Sequence, residues 1–331
     1  MDTLRARRQG RGGRIAALLS AAALLVGLAA CSDPAPRPEP TAPPTAAPRT
    51  SYFTGLPGRN GPVLAVKIDN VRPARPHTGL GAADIVYVEP VEAGLTRLLA
   101  VYSTELPPRI GPVRSARESD LELLRQFDRP ALAYSGAQSA LLPLIEAAPL
   151  VGLPPGRAPD AYVRSGDRPA PHNLYLRPEA ALTAAGDVGA ASDIGFRFGP
   201  APAEGGRPVT EHTVRYPSAR YAFTWSEADR GWRVAMDGTP ASTTDDGRLA
   251  PATVVVQYTE VRPSRFGDRW GNASPYPETV GSGRALVLRD GQGYDARWER
   301  ATAEGGTVFT DAAGERLDFA PGQVWVVLAE A

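Results

Sequence analysis

Between residues 63 and 102 the chain alternates apolar runs with short polar breaks. Residues 63–68 read as a buried strand, and 84–91 and 95–102 as two more; Ala93-Gly94 between the last two suits a tight turn, and hence a hairpin. The pattern then shifts to a helical period. Leu121, Leu124 and Phe127 fall on one face of 118–127, a short strand follows at 131–135, and 138–147 and 178–185 read as two further helices. From about residue 210 short β-rich runs succeed one another, separated by turn pairs such as Asp237-Gly238 and Asp290-Gly291. The pattern predicts an α+β protein. An α/β-like N-terminal domain with a mixed sheet spans 51–198, a Gly- and Pro-rich linker spans 199–209, and a mainly antiparallel β domain spans 210–331.

The N-terminus has a different pattern. Five arginines between residues 5 and 14 precede an apolar stretch over 15–30 that ends in Leu28-Ala29-Ala30-Cys31. The stretch is short for a membrane span and closes on small residues, so 1–30 reads as a signal peptide. LAAC matches the bacterial lipobox, and Cys31 is the only cysteine in the chain. It is predicted to be diacylated and to become the new N-terminus, since two acyl chains give stable anchoring where one does not. Residues 31–50 are then the lipidated cysteine and a Pro-rich, extended tether, reaching at most ~60 Å at ~3.1 Å per residue. The expected location is the extracytoplasmic face of the cell membrane.

Composition narrows the chemistry. Removing 1–30 takes five arginines and one aspartate from 36 basic and 36 acidic side chains, leaving a small acidic excess. A nucleic-acid partner, which calls for a basic face, is not expected. Without Cys31 the body has no thiol, so disulfides and thiol catalysis are excluded. The histidines, His77, His172 and His212, have no metal-ligand spacing, and neither a metal nor another cofactor is expected.

The candidate site residues gather in the first half. Lys67, Asp69 and Asn70 end the first strand; Glu89, Glu92 and Arg97 lie in or beside the next two; Arg114, Ser115 and Arg117 precede the first helix. Strand C-termini are common binding positions in α/β folds. Ser115 or Ser119 is the expected N-cap of that helix, with backbone donors, Arg114 and Arg117 suited to a carboxylate, sulfate or phosphate. Lys67 is the only lysine in the chain. It reads either as a structural ion-pair partner of Asp69 or Glu89, or as a movable charge that a site needs and a fixed guanidinium cannot supply.

KIDN, the segment Arg75-Pro76-His77-Thr78-Gly79-Leu80, ADIVY followed by Glu89, VEAGLTR and IGPVRSAR together resemble the YerB-like bacterial lipoproteins, which carry DUF3048 N- and C-terminal domains. VVVQY, VGSGRALVLRDGQ and PGQVWVVL extend the resemblance through the second half. His77 stands where glutamine is expected and Ala93 where glycine is expected. The resemblance implies location and architecture, not a reaction. It places the nine candidates within the matched motifs. Two readings follow. The first is an anchored lipoprotein that binds a cell-wall polymer or an envelope protein through a polar cleft. The alternative is a hydrolase or transferase acting on peptidoglycan or another wall polymer, with Glu89 or Asp69 as acid or base. A solute-binding lipoprotein fits less well, because such binders usually pair two similar lobes.

Overall fold

The computed structural model describes residues 50–331 apart from 246 and 269. The lipobox cysteine Cys31, the signal peptide and all but the last residue of the tether therefore lie outside the described residues. Residues 47–331 form one compact unit. Both hydrophobic cores lie entirely within it, so this body holds what it needs to fold.

Most of the body is built on one eleven-stranded mixed sheet. The N-terminal half supplies β1 (Leu64–Asp69), β2 (Ile85–Pro90), β3 (Thr96–Tyr102), β4 (Ala131–Ala133) and β5 (Val151–Leu153). β2 and β3 form the expected hairpin, and β1 joins β3 antiparallel and β4 parallel. At the turn Ala93 adopts a left-handed conformation, φ 59°, followed by Gly94 at φ 67°. The left-handed region is uncommon for a residue with a Cβ, so alanine is accommodated there with some strain.

The second half begins with three strands of a smaller antiparallel sheet: β6 (Glu211–Tyr216), β7 (Ala219–Ser226) and β8 (Gly231–Met236). It then returns to the large sheet with β9 (Thr253–Thr259). A separate hairpin of β10 (Val261–Gly267) and β11 (Ala273–Pro277) follows, and then β12 (Gly281–Arg289), β13 (Gln292–Arg300), β14 (Val308–Thr310) and β15 (Val324–Glu330). The order across the large sheet is β14-β13-β12-β9-β15-β2-β3-β1-β4-β5. The C-terminal strand β15 lies between β9 and β2, parallel to both. The sheet thus crosses the boundary expected at 199–209, and within that stretch Gly206–Pro208 itself pairs with β13. The two halves share a sheet instead of sitting as separate bodies on a linker.

The central strands are covered on both sides, which is why they read as continuous apolar runs. One face, carrying Leu64, Val66, Val256 and Trp325, packs against Tyr221, Phe223, Trp232 and Met236 of the small sheet and Ala181 of α3 (Pro178–Ala185). The other face, carrying Val63, Ala65, Leu99, Val255 and Val326, packs against α1 (Glu118–Leu124), α2 (Leu142–Ala147) and the Phe196–Phe309–Phe319 group. α1 is shorter than its sequence pattern implies: at Arg125 it tightens into a 3-10 turn. It buries Leu123 and Leu124, while Leu121 stays partly exposed. Among the described residues no helix is long and apolar enough to cross a membrane.

Candidate functional site

The end of β1 explains the lone lysine. Side chains alternate along a strand, so Lys67 and Asp69 share a face, and β3 and β2 bring Leu99, Arg97 and Glu89 onto it. Lys67 is fully buried. Its Nζ donates to Glu89 Oε2 at 2.5 Å and to Asp120 Oδ1 at 2.6 Å, and both carboxylates are also fully buried. An arginine fork would not fit between two single oxygens at these distances, whereas an ammonium is a compact point charge.

One ammonium facing two buried carboxylates leaves an excess negative charge that the interior resists. Burial, reinforced by the Asp120 charge and opposed by Lys67, raises the Glu89 pKa to about 8. Near neutral pH Glu89 is therefore the uncharged acid, hydrogen-bonded to Asp120, and the triad is neutral. The other oxygen of Asp120, Oδ2, accepts the Arg117 backbone N–H at 2.7 Å. The N-cap of α1 is thus Arg117, not Ser115 or Ser119, and α1 is only seven residues long. The amide expected to greet an anion at its start is already satisfied by Asp120.

The nine predicted residues separate into three groups. Lys67 and Glu89 belong to the sealed triad. Asn70 is a structural anchor between the halves: its side chain donates to Thr96 Oγ1 at 3.1 Å and to the Tyr221 hydroxyl, and accepts from Arg75 Nε at 3.1 Å. The other six lie together. Glu92 receives Arg117 Nε and Nη2, each at 2.7 Å, and also the Ser274 hydroxyl from β11. Burial works against its charge, but the Arg117 guanidinium outweighs it and lowers the Glu92 pKa. Asp69 Oδ2 lies 2.8 Å from His172 Nδ1 and 3.2 Å from Arg114 Nε. Arg97 donates to the Ser115 carbonyl at 2.9 Å.

Arg97 is the residue whose charge is least satisfied. Its cross-strand neighbours are Asp69 and Glu89, yet Asp69 is engaged by His172 and Arg114, and Glu89 by Lys67. Among the described residues Arg97 has no ion pair. Burial first, then the charges of Arg117 and Arg114, opposed by those of Glu92 and Asp69, bring its pKa down to about 9, a large change for a guanidinium. Three arginines therefore converge on the C-terminal ends of β1 and β2, against the two carboxylates Asp69 and Glu92, and Arg97 is the one without an ion pair among the described residues. The β10–β11 hairpin closes over the start of α1: Ser264 Oγ donates to Glu118 Oε2 at 2.5 Å, and the Gly267 amide donates to Gln138 Oε1 at 3.3 Å.

Three participants escaped the sequence pattern. Asp120 lies in the same RSARESD segment as Arg117, and its i+3 spacing from Arg117 was the available signal. His172 comes from a loop about a hundred residues from Asp69, and nothing local marks it. His77 is buried with its Nε2 2.9 Å from the Asp69 carbonyl oxygen. Burial lowers its pKa to about 4, so it is a neutral packing and hydrogen-bonding group.

Comparison with known proteins agrees with this architecture. The family described as Protein of unknown function (DUF3048) N-terminal domain matches residues 53–191, and its C-terminal domain matches residues 212–326. A Bacillus subtilis (strain 168) protein described as "Putative lipoprotein YerB" is 45% identical over 65 residues, 20% of this chain and 20% of that protein. The crystal structure of the YerB protein from Bacillus subtilis superimposes with a TM-score of 0.73 at 20% identity, covering 86% of this chain and 97% of that one. At that identity the likeness concerns the fold.

Proposed function

The chain belongs to the DUF3048 family, with both its N- and C-terminal domains, and on that premise we propose a lipid-anchored, extracytoplasmic protein that binds an anionic group of a cell-envelope component. The binding element is Arg97 with Arg114 and Arg117, bordered by Ser115 and the β10–β11 hairpin. The observation that carries this reading is the Arg97 guanidinium, which among the described residues has no ion pair and donates only to the Ser115 carbonyl, beside Arg114 and Arg117. Such a cluster is electrostatically unfavourable when empty and relieved by an incoming carboxylate or phosphate, which arginine grips with two parallel hydrogen bonds. Acid–base catalysis on a wall polymer fits less well. Glu89 is sealed from solvent, and Asp69 and Glu92 are both held in ion pairs.

The test uses the body, residues 47–331, titrated calorimetrically with soluble anionic wall fragments. Arg97→Gln is expected to weaken binding at least tenfold, because a hydrogen bond to a charged group contributes ~1.5–3 kcal/mol. It should leave thermal stability unchanged or raised, since it removes a buried, crowded cation. Loss of stability with binding intact would overturn the assignment. The anchor is tested separately in the full chain: Cys31→Ser is expected to move the protein out of the membrane fraction.

A further inference from the structure

A second polar concavity lies on the opposite face of the large sheet, and it does not depend on the reading above. Leu286 belongs to the core cluster on the face of Val66, and Arg284 shares its side of β12, two residues away. Arg97 lies on the other face. Three strands, β9, β15 and β2, separate β12 from β3, a lateral distance of roughly 19 Å at ~4.8 Å per strand. The concavity encloses about 610 Å³ and is lined by Arg284 and Arg297, Arg207 from Gly206–Pro208, His212 from β6, Tyr258 from β9 and Leu286. It fills the gap between the large sheet and the edge of the small one.

Its charges are not balanced. Arg284 and Arg297 are direct cross-strand partners in the β12–β13 ladder. Like charges directly opposite destabilise a sheet. Across Arg297 on β14 stands Thr310, not a carboxylate. Asp295 and Asp311 also line the concavity, but both are already engaged: Asp295 lies 3.4 Å from Arg207, and Asp311 Oδ1 accepts the Ala313 and Glu315 backbone amides, both at 2.9 Å. The Arg284 guanidinium sits over the Tyr258 ring, 4.8 Å from its centroid, which fixes its position without neutralising it. Burial, then the Arg207 charge, lowers the His212 pKa, so that at neutral pH it serves as an uncharged hydrogen-bonding group.

We infer that this concavity binds a phosphate-bearing polyol or sugar, with Arg284 and Arg297 gripping one phosphate from neighbouring strands. Two adjacent guanidiniums match a tetrahedral oxyanion with several free oxygens better than they match a single planar carboxylate. The volume exceeds that of a bare ion, and Leu286 and Tyr258 offer apolar surface to the carbon skeleton beside the phosphate. The phosphate can come from a soluble phosphodiester polymer or from a phospholipid headgroup, and the experiment separates the two.

The body, residues 47–331, is titrated with a glycerol-phosphate oligomer and, in parallel, co-sedimented with phosphatidylglycerol vesicles. Saturable binding to at least one is expected, weakened tenfold or more by Arg284→Gln with Arg297→Gln. Oligomer binding identifies a soluble polymer as the source, and binding to vesicles alone identifies the headgroup. Arg297→Glu is a second, independent reading: it should abolish binding yet raise Tm, because it turns the cross-strand repulsion into an ion pair. The inference is overturned by any of four results. These are no saturable binding to either probe, binding that survives the double substitution, equal affinity for polyglutamate, or a lower Tm for Arg297→Glu. Loss of binding in Arg97→Gln with the double variant unaffected would also overturn it, by assigning the ligand to the other face.

Discussion

Replacing Glu89 by glutamine tests the account of the buried lysine. Glutamine has the shape of the neutral acid, so the substitution should cost little, within ~1 kcal/mol, where Glu89 is protonated in both the folded and the unfolded chain, below about pH 4.5. Its larger effect is on pH dependence. The Glu89 pKa is raised by folding from 4.5 to about 8. Between those values the unfolded chain releases a proton that the native state keeps, so stability is fully present below about pH 4.5 and declines as pH rises toward 8. One pKa unit corresponds to ~1.4 kcal/mol, so the full window is worth at most about 5 kcal/mol, and about 2–3 kcal/mol separates pH 5 from pH 7. Other groups titrate in the same range. Burial raises Asp84 to about 6, which acts in the same direction between about 3.8 and 6. Burial lowers His77 to about 4, which makes stability rise with pH between about 4 and 6.5. Both remain in the variant, so the wild-type-minus-variant difference isolates Glu89. The assay is urea unfolding of residues 47–331 at pH 5, 6, 7 and 8. The variant should gain on the wild type by about 2–3 kcal/mol from pH 5 to pH 7. A difference that does not change with pH, or a loss of more than ~3 kcal/mol for the variant at pH 6, would refute the neutral-triad reasoning.

Two further outcomes follow from the same structure. Lys67→Met removes the cation between Glu89 and Asp120 and should destabilise the body by ~3–5 kcal/mol, measured by denaturant midpoint; pairing it with Glu89→Gln should recover part of that loss, because glutamine, unlike Glu89, takes up no proton when the chain folds. Deleting residues 324–331 takes out a strand from the middle of the sheet, exposing the edges of both β9 and β2. That chain should be recovered as aggregate, and a soluble, cooperatively unfolding product in size-exclusion and thermal melts would contradict the shared-sheet architecture.

Much of the fold was legible because its strands are buried on both faces. Residues 63–68 and 95–102 announce themselves through unbroken apolar composition, and Ala93-Gly94 marks the hairpin of 84–91 with 95–102 through turn chemistry. Lys67 was conspicuous by being alone, and its structural reading named Glu89 as one of two possible partners, the other being Asp69. The candidate site was less legible. Asp69 was expected beside Lys67 because they share a strand face, yet the loops ahead of α1 and α3 deliver Arg114 and His172 to Asp69 and leave Lys67 to Glu89 and Asp120. The expected helix cap failed for a related reason: a serine at the right position competes with an aspartate whose carboxylate reaches the same amide while also meeting a buried ammonium.

The kinds of element, their approximate bounds and the family can all be read along the chain, because period, turn residues and ordered motifs are local properties. The position of the last strand between β9 and β2 cannot, since a parallel pairing between residues more than two hundred positions apart leaves no local signature. Folding in three dimensions also sets which charges are neutralised and which are left over. Lys67 and Arg97 lie on the same sheet face, near the end of β1 and the start of β3, but one is enclosed between Glu89 and Asp120 and the other stands among arginines. That difference depends on distances of a few ångströms between segments the sequence keeps far apart.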